Sequence, residues 1–268
     1  AAATATPNYA VDGQMGLQPA ATPVMELIHG FHTQLLIIIT AISLLVLGLL
    51  IYVMIRFRAK SNPTPSKTSH NTLIEVIWTV LPVVILVVIA VPSMNLLYYM
   101  DRVEDPELTV KVTGYQWYWG YEYPEEGIEF LSVMLAEDQL AEYGYTRDEF
   151  LLATDAAMVV PTGQTVAVQV TAADVIHSWT VPAFGVKQDG VPGRLAELWF
   201  EVEPGREGVY FGQCSELCGA AHAYMPITVF AVTPEEYEAW LSGEAQEFAS
   251  AGNMRAPITD AVRAEIDE

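Results

Sequence analysis

Residues 214 to 225 read Cys214-Ser-Glu216-Leu-Cys218-Gly-Ala-Ala-His222-Ala-Tyr-Met225. This stretch holds both cysteines of the chain, a histidine four residues after the second, and a methionine three residues further on. Thiolate, imidazole and thioether are soft to borderline donors that select copper, with zinc as the main competitor. One more ligand is wanted from elsewhere, and His177 in Asp-Val-Ile-His-Ser-Trp (174–179) is the candidate. The donors sit on a glycine-bearing loop between two apolar runs, Val209–Phe211 and Ile227–Val232.

Other readings of the same residues compete. Two cysteines in an exported domain can form a disulfide. A Cys2His2 set can hold structural zinc, but His177 lies 37 residues before Cys214, unlike the short paired spacing of zinc modules. Met225 alone would be an ordinary core residue. A mononuclear blue-copper site uses two His, one Cys and an axial Met, which leaves one cysteine over. Two thiolates bridging two metal ions use every donor present.

The pattern Cys-x3-Cys-x3-His-x2-Met, with Gly-Gln immediately before Cys214 and His-Ser-Trp upstream, strongly resembles the subunit II family of haem-copper cytochrome c oxidases. In that family these residues hold the dinuclear copper centre called CuA. The resemblance implies that Cys214 and Cys218 bridge both coppers, with His177 and Met225 on one, and His222 and the backbone carbonyl of Glu216 on the other. It also implies that the Glu216 side chain helps bind Mg2+ where subunit I abuts. The expected fold is membrane-anchored and all-β: a two-helix transmembrane hairpin followed by a cupredoxin-like β-sandwich or barrel. The resemblance covers roughly residues 27 to 235.

Composition agrees with a split chain. Of 268 residues, 52% are apolar and the formal net charge is −21. Residues 1–100 carry four basic and three acidic groups, whereas residues 101–268 carry eight basic and thirty acidic ones. A nearly neutral hydrophobic part is therefore joined to a strongly acidic one. Nucleic acid is disfavoured as a partner, because phosphate contacts need clustered Lys and Arg. A basic protein partner is favoured, since opposite fields steer encounter.

Residues 1–26, poor in charge and rich in Ala, Thr and Pro, read as an extended or loosely packed extracytoplasmic arm, the mature end left after removal of a signal peptide. Residues 27–100 read as the hairpin, with helices at about 30–56 and 74–100. Phe31–Ile55 and Val76–Met100 are each free of Asp, Glu, Lys and Arg, and about twenty apolar residues cross a bilayer core. Arg56, Arg58, Lys60 and Lys67 place the loop 57–73 on the cytoplasmic side by the positive-inside rule. Pro82 and Pro92 should bend the second helix or break its hydrogen bonding locally. Glu75, at the start of that helix, is either a carboxylate favouring a helix N-terminus or a functional intramembrane group. Glu75-Val-Ile-Trp78-Thr-Val-Leu-Pro82 resembles the family's second-helix motif, where the matching glutamate lies at the mouth of a proton pathway into subunit I.

Residues 101–235 carry the short β-type runs of the copper domain: Leu108–Thr113, Met158–Val160, Thr165–Val170, Leu198–Val202, Val209–Phe211 and Ile227–Val232. Residues 125–152, acidic and rich in Leu and Ala, read as an insertion carrying helical turns. Residues 236–268 read as a C-terminal helical segment, its helix-like pattern opening at Pro234, and an acidic tail. The run Gly114-Tyr-Gln-Trp117-Tyr-Trp119-Gly-Tyr121-Glu122-Tyr123 suits an aromatic core strand. By resemblance Trp117 is the point where electrons arrive from cytochrome c, and Glu122, Asp155 and Asp174 belong to its docking patch.

The resemblance thus implies an oxidoreductase subunit that takes electrons from a basic cytochrome c and passes them to haem in subunit I. Dioxygen reduction and the haem belong to that partner, proton pumping is coupled to it, and a subunit III is expected beside it. The expected setting is a bacterial inner membrane with both termini and the copper domain on the periplasmic side, or alternatively the mitochondrial inner membrane. Two alternatives stand: a quinol oxidase subunit II, which lacks the copper ligands, and a membrane-anchored copper carrier outside an oxidase.

Overall fold

The computed structural model describes residues 8–101 and 105–242. Two helices come first, α1 (Pro23–Arg56) and α2 (Thr72–Asp101). Both are apolar around their whole circumference, so neither has a polar side to turn to water. At 1.5 Å per residue they are about 51 and 45 Å long, enough to cross a bilayer. Apart from Val24 and Met25 in the first turn of α1, none of their residues is buried by the chain itself. These are two transmembrane helices. The Asn71 side chain accepts the Ile74 N–H at 3.2 Å and starts α2. α2 is helical through Pro82 and Pro92, each of which leaves out the N–H of one helical hydrogen bond.

The remaining described residues form a second compact unit that includes the arm, with Leu27–Tyr99 as the other. Among its described residues, 10–17 are exposed, while Asn8 and residues 21–22 are tied to the β unit. Asn8 Nδ2 donates to the Val209 carbonyl at 3.1 Å, and the Ala21 N–H donates to the Ala183 carbonyl at 3.0 Å. Thr22, fully buried, donates to the Phe184 carbonyl at 2.7 Å and accepts the Met25 N–H, so it caps α1 as well. Asn8, Ala21 and Thr22 could not show these partners in advance, because the acceptors are backbone carbonyls far along the chain.

The β unit has two layers. In the first, β1 (Leu108–Tyr115) is central, pairing antiparallel with β2 (Tyr118–Tyr123) and parallel with β5 (Thr165–Ala172). β3 (Ile128–Ser132) extends it beyond β2, and β8 (Ala196–Glu201) beyond β5, in the order β3-β2-β1-β5-β8. In the second, β10 (Pro226–Val232) lies between β4 (Met158–Pro161), parallel, and β9 (Gly208–Gln213), antiparallel. The pair β6 (His177–Val181) and β7 (Val186–Gly190) runs beside β9 and reaches β5 and β8, joining the layers. This is the all-β sandwich with a transmembrane anchor that the pattern of short strands implies.

Alternation explains the core. In β1 and β2 every second residue is buried, so Val110, Val112, Trp119, Tyr121 and Tyr123 face inward. β10 is buried at all seven positions, as expected of a strand covered on both faces. Two parts add to the sequence reading. The stretch 125–152 opens with β3 and continues in turns and one short 3-10 helix, Arg147–Glu149, which bury Leu135, Leu140 and Tyr145. It therefore holds helical turns as expected and, in addition, an edge strand of the first sheet. β6 and β7 were not read as strands, because His, Ser and Thr in β6 and Lys, Gln and Asp in β7 interrupt the apolar pattern. The C-terminal helix, α3, is Pro234–Leu241, with Thr233 and Glu236 forming a capping box. Its expected continuation and the acidic tail lie outside the described residues.

Candidate metal centre

The aromatic run does not form one strand. Tyr115 pairs with Tyr118, so Gln116 and Trp117 are the two residues at the tip of a hairpin, and the flanking tyrosine rings stack at 4.8 Å. Trp119, in the returning strand, is fully buried. Its indole N–H donates to the Met225 carbonyl at 3.2 Å, and its ring lies edge-on to His177 with centroids 5.9 Å apart.

His177 opens β6 and Cys214 follows β9. The Ser215 N–H donates to the Ser178 carbonyl at 2.9 Å, which brings residues 37 apart in sequence into contact. Cys214 Sγ lies 3.8 Å from His177 Nδ1, 3.8 Å from Cys218 Sγ and 3.3 Å from the Glu216 carbonyl oxygen. Cys218 Sγ lies 3.5 Å from His222 Nδ1 and 3.4 Å from Met225 Sδ. The nearest donor atoms of His177, Cys214 and Cys218 all lie within 4.8 Å of one another. Cys214, Cys218, His177 and Met225 are buried, whereas His222 is half-buried and the Glu216 side chain is exposed. Both cysteines are free, so the disulfide alternative is excluded in this structure.

The two thiols are held in unlike states. Burial works against ionisation of Cys214, but hydrogen bonding to His177 and to backbone groups outweighs it and brings the thiol down to about 6. Cys218 is pushed up to about 12, by burial first and then by the neighbouring Cys214 charge. Burial also opposes the charged form of His177, yet Cys214 and Asp174 hold its pKa above the usual histidine value. Two thiols packed against two imidazoles and a thioether bring groups that compete for protons together away from water. A cation at the centre removes that conflict.

Other predicted residues fall at different places. Trp117 is half-buried, and its indole N–H donates to the Cys218 carbonyl at 3.3 Å, against the ligand loop. Glu122 pairs with Lys111 at 2.7 Å on the outer face of the first sheet. Asp155 accepts the Val133 N–H at 2.7 Å, and burial raises its pKa. Asp174 is bonded to His177. Glu75 lies in the first turn of α2.

The family description "Cytochrome C oxidase subunit II, periplasmic domain" matches residues 108–232, and "Cytochrome C oxidase subunit II, transmembrane domain" matches residues 10–96. Cytochrome c oxidase subunit 2 of Cereibacter sphaeroides is 56% identical over 243 residues, covering 85% of this chain and 80% of the relative. The chain belongs to the cytochrome c oxidase subunit II family. A probable subunit 2 from Rickettsia bellii is 48% identical, covering 90% of this chain and 88% of that one. The solved periplasmic domain of subunit II of cytochrome oxidase from Bradyrhizobium japonicum is 46% identical, covers 55% of this chain and all of that one, and superposes with a TM-score of 0.48.

For this subunit II the donor set fits a dinuclear copper centre. Two sulfurs 3.8 Å apart stand between a histidine and a carbonyl on the Cys214 side and a histidine and a thioether on the Cys218 side. Soft sulfur and borderline imidazole match copper, and no donor is left over. Sequence reasoning missed three residues that shape the site. Gly114 lets the His177 ring lie flat on β1, where a Cβ would meet three ring and Cβ atoms at 2.8–2.9 Å. Trp119 holds the Met225 backbone, and Gln116 donates to the Cys218 carbonyl at 2.8 Å. The Asp-x-x-His spacing of Asp174 and His177 was the one available signal of a carboxylate–histidine pair.

Proposed function

We propose that this subunit II is the electron-input subunit of a haem-copper oxidase, taking electrons from a c-type cytochrome and delivering them to haem in subunit I. The observation that carries this is the convergence of Cys214, Cys218, His177, His222 and Met225 within 3.4–3.8 Å steps, with the Glu216 carbonyl beside them. When bound there, a dinuclear copper centre supplies a one-electron store whose charge is spread over two metals. Cys214, Cys218, His177, His222, Met225 and the Glu216 carbonyl would hold it. The residues themselves keep water away and hold the donors still, so that little rearrangement accompanies a change of charge.

Trp117 is the point of electron input in this reading: it is partly exposed at a hairpin tip and hydrogen-bonded to the carbonyl of a ligand cysteine. The acidic excess of residues 101–268 attracts a basic cytochrome, with Glu122, Asp155 and Asp174 contributing to the field around Trp117. The exposed Glu216 carboxylate would take part in Mg2+ binding at the subunit I interface. Glu75 would begin a proton path into subunit I. The setting that suits two transmembrane helices with a basic connecting loop is a bacterial inner membrane, with the β unit outside and a subunit III in the same complex. The intact ligand set speaks against a quinol oxidase subunit.

The experiment is copper analysis and electron paramagnetic resonance on the full chain in detergent. Two coppers sharing one unpaired electron establish the reading, and Trp117→Phe in the assembled oxidase then slows reduction by cytochrome c while leaving that spectrum intact. One copper with a single-centre spectrum would favour the lone copper carrier instead.

A further inference from the structure

Asp174 makes three hydrogen bonds. Oδ1 lies 2.9 Å from His177 Nε2 and accepts the Val175 N–H at 2.7 Å, and Oδ2 accepts the Gln116 backbone N–H at 2.7 Å. Gln116 continues the connection, since its side-chain amide donates to the Cys218 carbonyl at 2.8 Å, an oxygen that also receives the Trp117 indole. One carboxylate therefore joins a ligand on β6 to the hairpin tip, and the tip grips the ligand loop. His177 and Cys218 have no direct bond to each other among the described contacts; this path links them from outside the donor cluster, beside the contacts through Cys214.

We propose that Asp174 and Gln116 are positioning residues for the metal centre: Asp174 fixes the ring of His177 with Nδ1 toward Cys214, and Gln116 fixes the Cys218 loop against the same carboxylate. An ionised carboxylate only accepts, so the bond requires a hydrogen on His177 Nε2. Nδ1, 3.8 Å from Cys214 Sγ, is thereby the nitrogen kept for a metal. The ring is fully buried against Gly114 and Trp119, so the carboxylate is the partner that the structure gives Nε2. A carboxylate in this position also makes the imidazole a better donor, and losing such a partner typically lowers metal affinity by about 10–100-fold. This role goes beyond the docking charge assigned to Asp174 above, which any surface acid could supply. It rests on the copper reading for its metal readouts but not for the state of the ring.

The test uses the full chain in detergent and the assembled oxidase, with Asp174→Asn and Gln116→Ala. Asn keeps the size of Asp but puts an amide donor in place of one of the two oxygens that accept the three N–H groups. Nitrogen-15 spectra of the metal-free chain should show a fixed Nε2–H state for His177 in the parent and a mixture of ring states in Asp174→Asn. Both variants, reloaded with copper, should surrender it at chelator concentrations about 10–100-fold lower than the parent, with altered histidine couplings in the resonance spectrum. Gln116→Ala carries no charge change, so its cytochrome c KM should keep the parent's ionic-strength dependence. The proposal is overturned if Asp174→Asn leaves the His177 ring state and chelator resistance unchanged and only raises KM in a salt-dependent way. If the parent chain binds no copper pair, the copper reading fails, while the nitrogen-15 result still decides the role of Asp174.

Discussion

Replacing Gly114 by Ala tests how tightly the site is built. The added methyl carbon would stand 2.8 Å from Cδ2 and Cγ of His177 and 2.9 Å from its Cβ. Carbon atoms in good contact lie about 3.5–4.0 Å apart, so something must move by roughly 0.6–1.2 Å. The ring has no room to retreat. It is fully buried, lies against Trp119 on one side, and is held at Nε2 by Asp174. β1 cannot withdraw either, because it is paired on both edges, with β2 and with β5. Overpacking of this kind costs about 1–3 kcal/mol. For a unit of this size that corresponds to a melting temperature lower by about 2–12 °C. The larger effect should be on the metal centre, since the ring moves with its donor atom. The assay is thermal unfolding of the full chain in detergent by near-ultraviolet circular dichroism, alongside its copper spectrum. A variant that melts within about 1 °C of the parent and keeps the same spectrum would refute the reasoning, because it would show that the ring is not confined.

In the metal-free chain at pH 7.5, iodoacetamide should label Cys214 well before Cys218, as one thiol sits at about 6 and the other at about 12. Cys214 is a thiolate above its pKa, so its labelling should fall as the pH drops through 6; equal rates read by peptide mass spectrometry would contradict the assigned states. Gly212→Ala places a Cβ against the Thr180 carbonyl oxygen, a backbone atom with no freedom to yield. It should separate β9 from β6, displace His177 from Cys214 and abolish copper retention, measured by metal content after gel filtration. Thr233→Ala removes the cap of α3 and should cost about 1 kcal/mol in denaturant unfolding without altering the copper spectrum.

Much of this protein is legible in its residues because the signals are local. Two uncharged runs of 25 residues demand a membrane, and no tertiary contact is needed to explain Phe31–Ile55 or Val76–Met100. Strands with alternating burial, such as Leu108–Tyr115, announce themselves by a period of two. The ligand set was visible because both cysteines of the chain, a histidine and a methionine fall within twelve residues. Strand pairs such as β6 and β7 were not visible, since their polar residues are satisfied by partners that only the fold supplies, as when Ser178 donates to Asp189 at 2.7 Å.

What the tertiary structure alone decided is the surroundings of those donors. A glycine can be chosen for a flexible turn or for a close approach, and only the packing of His177 on Gly114 separates the two. An aspartate three residues before a histidine can be a surface charge or its anchor, and only the 2.9 Å contact distinguishes them. The arm at residues 8–25 carries no periodic pattern, because it is held by single hydrogen bonds to carbonyls of Ala183, Phe184 and Val209, more than 150 residues away. Donor type is a property of a side chain and is written in the sequence. Donor direction, burial and proton state depend on neighbours brought together from β1, β6, β9 and the loop after it, and those exist only once the chain has folded.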